Sequence, residues 1–221
     1  MAYHPRAMTQ PTDTFSHFDF TALPPADIYK LLASTIMPRP IAWVTSRDAA
    51  GVVNAAPFSF FNVVSADPPL VAISFTKPPD REKKDTMANI HARGEFVVNM
   101  VSEELAEAMN ITATNAPIGI DETQLAELEI APCNVVDIPR IANSPVAFEC
   151  KLLQMLNFGG ASTLCLGRVV FGHVKTEAFE NVERLHIDAA KLDLIGRMHG
   201  AGGYTTTRGM FHIERKSWPL T

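Results

Sequence analysis

The sequence predicts a mainly β fold with peripheral helices, either a barrel or a sandwich, and three observations carry that reading. Six runs rich in Val, Ile, Phe and Leu are each bounded by turn residues, the pattern of strands. Helical patches between them are short and fall at strand ends, so they decorate a sheet rather than build a bundle. A hydrophobic content of 47% over 221 residues is enough for one good-sized core, and no repeat or low-complexity segment interrupts it.

The elements follow in order. Residues 1–13 are polar and contain prolines, which reads as a flexible arm, with Met8 as an alternative start, ahead of a single domain over 14–221. Residues 26–34 read as a helix and 41–46 as a strand. The next strand, 53–64, contains Pro57, which removes a ladder donor, so it belongs at a sheet edge or at a bulge. A strand at 70–75 precedes a helix at 86–93, in which Met87, Ile90 and His91 share a face. Asp85 reads as its N-cap and Gly94 as its stop. After a strand at 95–101, Ser102 suits the capped start of a helix over 102–110. Strands at 146–157 and 163–176 follow, with helical turns at 121–128 and 188–192. The loop 112–122 has no periodicity. The segment 196–209 is glycine-rich, holds Arg197, His199, Tyr204 and Arg208, and reads as a lid.

A formal net charge of −5, with no block of like charge, argues against nucleic-acid binding by bulk attraction. Cys133, Cys150 and Cys165 are odd in number and widely spaced, which fits reduced core thiols in a cytoplasmic protein better than disulfides or zinc. The histidines are scattered without ligand spacing, so no metal site is expected, and no run has the length of a membrane span or signal peptide.

One succession points to chemistry. Arg39 supplies a fork of donors, Lys84 a point charge, and Thr45, Ser46 and Thr86 hydroxyls, the groups a phosphate monoester requires. A helix starting near Asp85 would add outward amides at its positive end, although the same residues suit an ordinary surface helix. The run from Ala55 to Asn62 offers an edge whose unpaired backbone groups can meet a flat heterocycle, or it is a half-buried strand with Phe58 and Phe60 on one face. Together they describe a pocket for a phosphorylated aromatic cofactor.

The blocks Met37-Pro38-Arg39-Pro40-Ile41-Ala42-Trp43-Val44-Thr45-Ser46, Asn54-Ala55-Ala56-Pro57-Phe58-Ser59-Phe60-Phe61-Asn62, Asp67-Pro68-Pro69-Leu70, Lys84-Asp85-Thr86 and Gly94-Glu95-Phe96-Val97-Val98-Asn99 resemble the flavin reductase-like, FMN-binding split-barrel family. Ser144 to Cys150, and Gly196-Arg197 with Tyr204, resemble its later segments, so the likeness covers roughly residues 25 to 210. The resemblance implies a homodimer of Greek-key split barrels with FMN near the interface. It also implies that Arg39, Thr45, Ser46, Lys84 and Thr86 hold the phosphate. Ala55, Ala56, Phe58, Ser59, Phe60 and Asn62 would meet the ring, and Asn54 and Asp85 either touch FMN or serve as turn residue and cap. His199 and Tyr204 stand as substrate-side candidates, His199 otherwise being an exposed loop residue. No catalytic side chain is assigned, because the flavin carries the electrons. The implied activity is flavin reduction by NAD(P)H, with a partner oxygenase as one recipient. A flavoenzyme acting on its own small substrate and a non-enzymatic FMN-binding or electron-transfer protein are the alternatives.

Overall fold

The structure is a computed structural model that describes residues 14–77, 84–199 and 202–218, so the expected arm over 1–13 lies outside the described residues. In chain order its elements are α1 (Pro25–Thr35), β1 (Ala42–Arg47), β2 (Val53–Phe58), β3 (Phe61–Ala66), β4 (Pro69–Thr76), α2 (Asp85–Arg93) and β5 (Glu95–Asn99). A 3-10 turn (Glu103–Leu105) then runs into α3 (Ala106–Ile111), followed by α4 (Glu122–Leu125), β6 (Ile130–Ala131) and β7 (Arg140–Ile141). The chain continues with β8 (Val146–Asn157), β9 (Ser162–Val174), β10 (Phe179–Asn181), β11 (His186–Ile187), α5 (Ala189–Leu192), β12 (Ile195–Arg197) and β13 (Tyr204–Thr206).

Seven strands form one antiparallel sheet in the order β2-β1-β5-β8-β9-β4-β3. The two edge strands, β2 and β3, are consecutive in the chain and separated only by Ser59 and Phe60. Such a link forces the sheet to curl until its edges meet, giving a barrel with a split where β2 hands over to β3. Across that split the Phe58 ring meets Phe75 edge-on at 4.7 Å, and Ser74 N–H donates to Phe60 O at 2.9 Å. The interior is filled by Val44, Ile73, Phe75, Ile90, Phe96 and Val98. Phe96 lies flush against β9, where a Cβ built on Gly167 would stand 2.4 Å from its ring. Only glycine fits there.

The other face of the β1-β5-β8 region is covered by the segment 133–141. Thr45, fully buried, donates to Pro139 O at 2.7 Å, and Ile141 N–H donates to Asn99 Oδ1 at 2.9 Å. This cover explains why Thr45, Val97 and Ala147 are sealed although they alternate away from the barrel interior.

Several expectations are corrected. The strand foreseen over 53–64 breaks at Ser59-Phe60, because one strand cannot pair with both edges without bending across the split. Asp85 is not the N-cap: Lys84 takes the extended cap position, Asp85 opens the helix and no side chain caps it, while Gly94 ends it at φ 72° as expected. Ser102 makes no side-chain cap; it bridges Leu194, and its carbonyl accepts from Leu105 N–H. Within the lid segment, β12 and β13 pair as a short ladder, with Arg197 opposite Tyr204.

Candidate functional site

Pro57 does place β2 at an edge, and a cleft runs along it. The first part is bounded by Asn54, Ala56 and Phe58 of β2, by Lys84, Asp85 and Thr86 at the start of α2, by residues 112–116, and by Glu122. Its floor is a buried polar relay. Thr86 donates its hydroxyl to Asn54 Oδ1 at 2.6 Å, and Asn54 Nδ2 donates to Glu122 Oε2 at 2.9 Å. The outward N–H of Ala55, an unpaired edge donor, reaches the same carboxylate oxygen at 3.2 Å. Burial pushes the Glu122 carboxyl above its ordinary value, and the bonds from Ala55 and Asn54 offset that only in part. Residues 112–116 are anchored by Thr112, whose hydroxyl accepts from the Trp43 indole at 2.9 Å and donates to Met109 O at 2.8 Å.

Beyond Pro57 and Ala113, which both parts share, the cleft continues into a space of about 230 Å³ edged by Tyr29, Ile41, Ser59, Met109, Asn110, Arg197 and Tyr204. The groove thus carries Lys84 beside the carboxyls of Asp85 and Glu122 at the α2 end, and at the other the rings of Tyr29 and Tyr204 with Arg197, Ser59 and Asn110.

Of the residues singled out from sequence, Asn54, Ala56, Phe58, Lys84, Asp85 and Thr86 come together in the first part, and Ser59 and Tyr204 line the second. The rest do not join them. Arg39 is buried: its guanidinium donates to the carbonyls of Ala33 and Ile36 at the end of α1, lies 3.4 Å from Ser59 Oγ and 5.8 Å from the Phe60 ring, and with Ser59, Phe60 and Asn62 edges a neighbouring space of about 360 Å³. Since α1 has no basic residue in its last turn, Arg39 supplies the cation that its carbonyl end favours. Thr45 is committed to Pro139, and Ser46 donates to Asn54 Oδ1 at 3.3 Å while accepting from Asn89 at 3.2 Å. Ala55 is fully buried, Phe60 stacks on Tyr29 at 5.8 Å, and Asn62 turns its side-chain oxygen to Val63 N–H. His199 is exposed and lines neither part.

Glu122, Thr112 and Tyr29 are the functional candidates that sequence reasoning did not find. Glu122 lies 67 and 68 residues from its partners Ala55 and Asn54, so no local pattern marks it. A cluster of Cys133, Glu149 and His173, with ligand atoms within 4.8 Å of one another, was also invisible in the spacing. It is not built for a metal. Glu149 Oε1 accepts from Asn134 N–H and His173 Nε2, and Oε2 from the N–H groups of Val135 and Val136, which fills its lone pairs. Burial, then the neighbouring Glu149 charge, pushes the Cys133 thiol up to about 12.

The donor set fits a phosphorylated flavin. Lys84 and the uncapped first turn of α2 suit a phosphate, and the edge backbone around Ala56 to Ser59 suits a flat ring. Comparison with known proteins bears on the fold and the family. An uncharacterised protein of Deinococcus radiodurans is 41% identical over 207 residues, covering 92% of this chain and 91% of its own. The structure of nitrilotriacetate monooxygenase component B from Bacillus cereus matches with a TM-score of 0.85 at 35% identity, over 91% of this chain and 100% of that one. That of 2-nitrobenzoate 2-nitroreductase NbaA from Pseudomonas fluorescens matches with a TM-score of 0.84 at 32% identity, over 93% and 98%. The profile of the "Flavin reductase like domain" covers residues 33–195, and with the split barrel and its edge cleft in place, the chain belongs to that family.

Proposed function

We propose that this chain is an FMN-dependent oxidoreductase that takes electrons from NADH or NADPH and works as a homodimer in the cytoplasm. The observation that carries the reading is one groove that joins Lys84, Thr86 and the uncapped start of α2 to the edge of β2 at Ala56 and Pro57 and on to the rings of Tyr29 and Tyr204. When bound there, FMN supplies the hydride chemistry, so the protein needs binding and alignment more than an acid or base. Lys84 and the α2 amides hold the phosphate. The relay through Asn54 fixes the edge of β2 so that Ala56 and Pro57 present a flat wall to the ring, and Tyr29 and Tyr204 flank the open side. An apolar groove of about 570 Å³ edged by Phe61, Leu70, Met100, Phe148 and Val169, with Val63 and Val64 exposed, supports pairing with a second copy. Cytoplasmic placement is supported by three free cysteines.

Two recipients for the electrons follow from the relatives. Likeness to a monooxygenase component B favours delivery to a partner oxygenase; likeness to a nitroreductase favours a small substrate of the chain's own. Anaerobic titration of FMN-loaded protein with NADH and NADPH tests the reading. Loss of the flavin's visible absorbance with either donor is expected. Protein that takes up no FMN, or holds FMN that stays yellow with both donors, overturns it.

A further inference from the structure

We propose that the Arg197–Tyr204 end of the groove is a subsite for a small aromatic carboxylate, with Arg197 as the residue that selects the anion. The inference deepens the flavin reading above and rests on it, since the subsite adjoins the wall assigned to the ring.

Arg197 is held in place from both sides. Its backbone N–H donates to Arg39 O at 2.8 Å, and its carbonyl accepts from Arg39 N–H at 2.9 Å, tying β12 to the segment that leads into β1. That approach requires Gly196, where a Cβ would stand 2.9 Å from Pro38. Across the β12–β13 pair the guanidinium lies over the Tyr204 ring, 4.7 Å from its centroid. This contact holds the guanidinium at this end of the groove, where in-plane N–H groups suit a carboxylate through two parallel bonds. A guanidinium carries five such donors, enough to serve a ligand alongside partners within the protein.

The surrounding space is suited to a ring. Among the described residues that line it, Arg197 carries the one formal charge and none is acidic, so an anion meets no like charge. Tyr29, Ile41, Pro57 and Met109 give apolar walls around about 230 Å³. Ser59 is oriented as a donor to a ligand: its oxygen faces the Arg39 Nε–H at 3.4 Å, which leaves the hydroxyl hydrogen to point elsewhere. A site with one fixed cation and no acidic lining residue discriminates for charge, because a neutral amide of the same shape forms no ion pair with the guanidinium.

The test uses FMN-saturated protein and benzoate as probe, followed by equilibrium dialysis and by perturbation of the flavin's visible spectrum. FMN uptake is measured first and separately. Wild type is expected to bind benzoate, to bind benzamide at least about tenfold more weakly, and to lose about tenfold or more of its benzoate affinity in Arg197→Gln while FMN affinity is retained. Arg197→Lys, which keeps the charge but not the fork, is expected to recover only part of the loss. Absence of benzoate binding, equal binding of benzoate and benzamide, or unchanged affinity in Arg197→Gln overturns the subsite and leaves the flavin reading standing. Failure of the wild type to take up FMN overturns both.

Discussion

Replacing Glu149 with glutamine should destabilise the protein by about 1.5–3 kcal/mol, and the figure follows from counting acceptors. Glu149 is completely buried, and its two oxygens accept four hydrogen bonds, from the N–H groups of Asn134, Val135 and Val136 and from His173. A carboxylate only accepts, so His173 must donate here. Glutamine keeps one oxygen, which can go on serving Val135 and Val136, and puts an NH₂ at the other site; His173 can change tautomer and accept from it, so the N–H of Asn134 is the donor that loses its acceptor. Hydrogen bonds to a charged group contribute about 1.5–3 kcal/mol each, and with no solvent exposure there is no screening to reduce that. Against a typical total of about 5–15 kcal/mol, the loss is substantial, and for a chain of this size it corresponds to a melting temperature lower by about 3–12 °C. Urea unfolding of wild type and Glu149→Gln measures the difference. The pH dependence supplies an internal check. Burial opposes the charged form of Glu149, but the bonds from Asn134, His173, Val135 and Val136 outweigh it and hold the carboxyl below its ordinary 4.5. A depressed carboxylate contributes stability that is full above the unfolded value and is lost as pH falls through the folded one. The gap between wild type and variant should therefore narrow as pH drops below about 4.5. A difference under about 1 kcal/mol at neutral pH, or a gap that ignores acid, would refute the anchor.

Lys84→Ala should weaken FMN binding by about 1.5–3 kcal/mol without lowering stability, whereas Arg39→Ala should lower the melting temperature and leave FMN affinity nearly unchanged; fluorescence titration with FMN and thermal melts separate the two. FMN affinity of the wild type should fall as pH rises above 4.5 and through the raised value of Glu122, because ionisation puts a negative charge in the phosphate cleft beside Asp85. Glu122→Gln should flatten that dependence, read from dissociation constants across a pH series; equal slopes remove Glu122 from the site. Gly167→Ala should cost about 1–3 kcal/mol in urea unfolding, since its methyl meets the Phe96 ring, and Gly172→Ala, where the nearest ring atoms are 3.6 Å away, should cost less.

Much of the fold was legible because its signals are local. The strand expected over 146–157 coincides with β8, and the glycine that stops α2 and the proline that marks β2 as an edge act within a turn of themselves. Those features depend on backbone geometry, which a residue carries wherever the rest of the chain goes. The break at Ser59-Phe60 was hidden for the opposite reason: an apolar run looks continuous until the closure of the sheet demands that it serve two edges. Short pairs such as β12–β13 escaped because two or three residues carry no period.

At the site the division falls between charge and its destination. Arg39 was the stronger candidate of the two cations, yet Lys84 lines the cleft along β2, and Arg39 lines a neighbouring space with Ser59, Phe60 and Asn62. Arg39 follows closely on α1, whose last carbonyls need donors, and its Nη1 is given to two of them while its Nε faces Ser59. The same accounting separates the hydroxyls. Thr45 and Ser46 lie in the middle of β1 between two covered faces, so each must find a partner inside the protein, and each does. Thr86 stands at a helix start beside an edge strand, where one bond to Asn54 orients it toward the cleft wall without closing that wall. A polar side chain near a family motif is therefore left for a ligand only where the neighbouring backbone is not already paired on both sides, and in this chain that is the edge of β2 and the uncapped start of α2, not β1, which pairs with both β2 and β5.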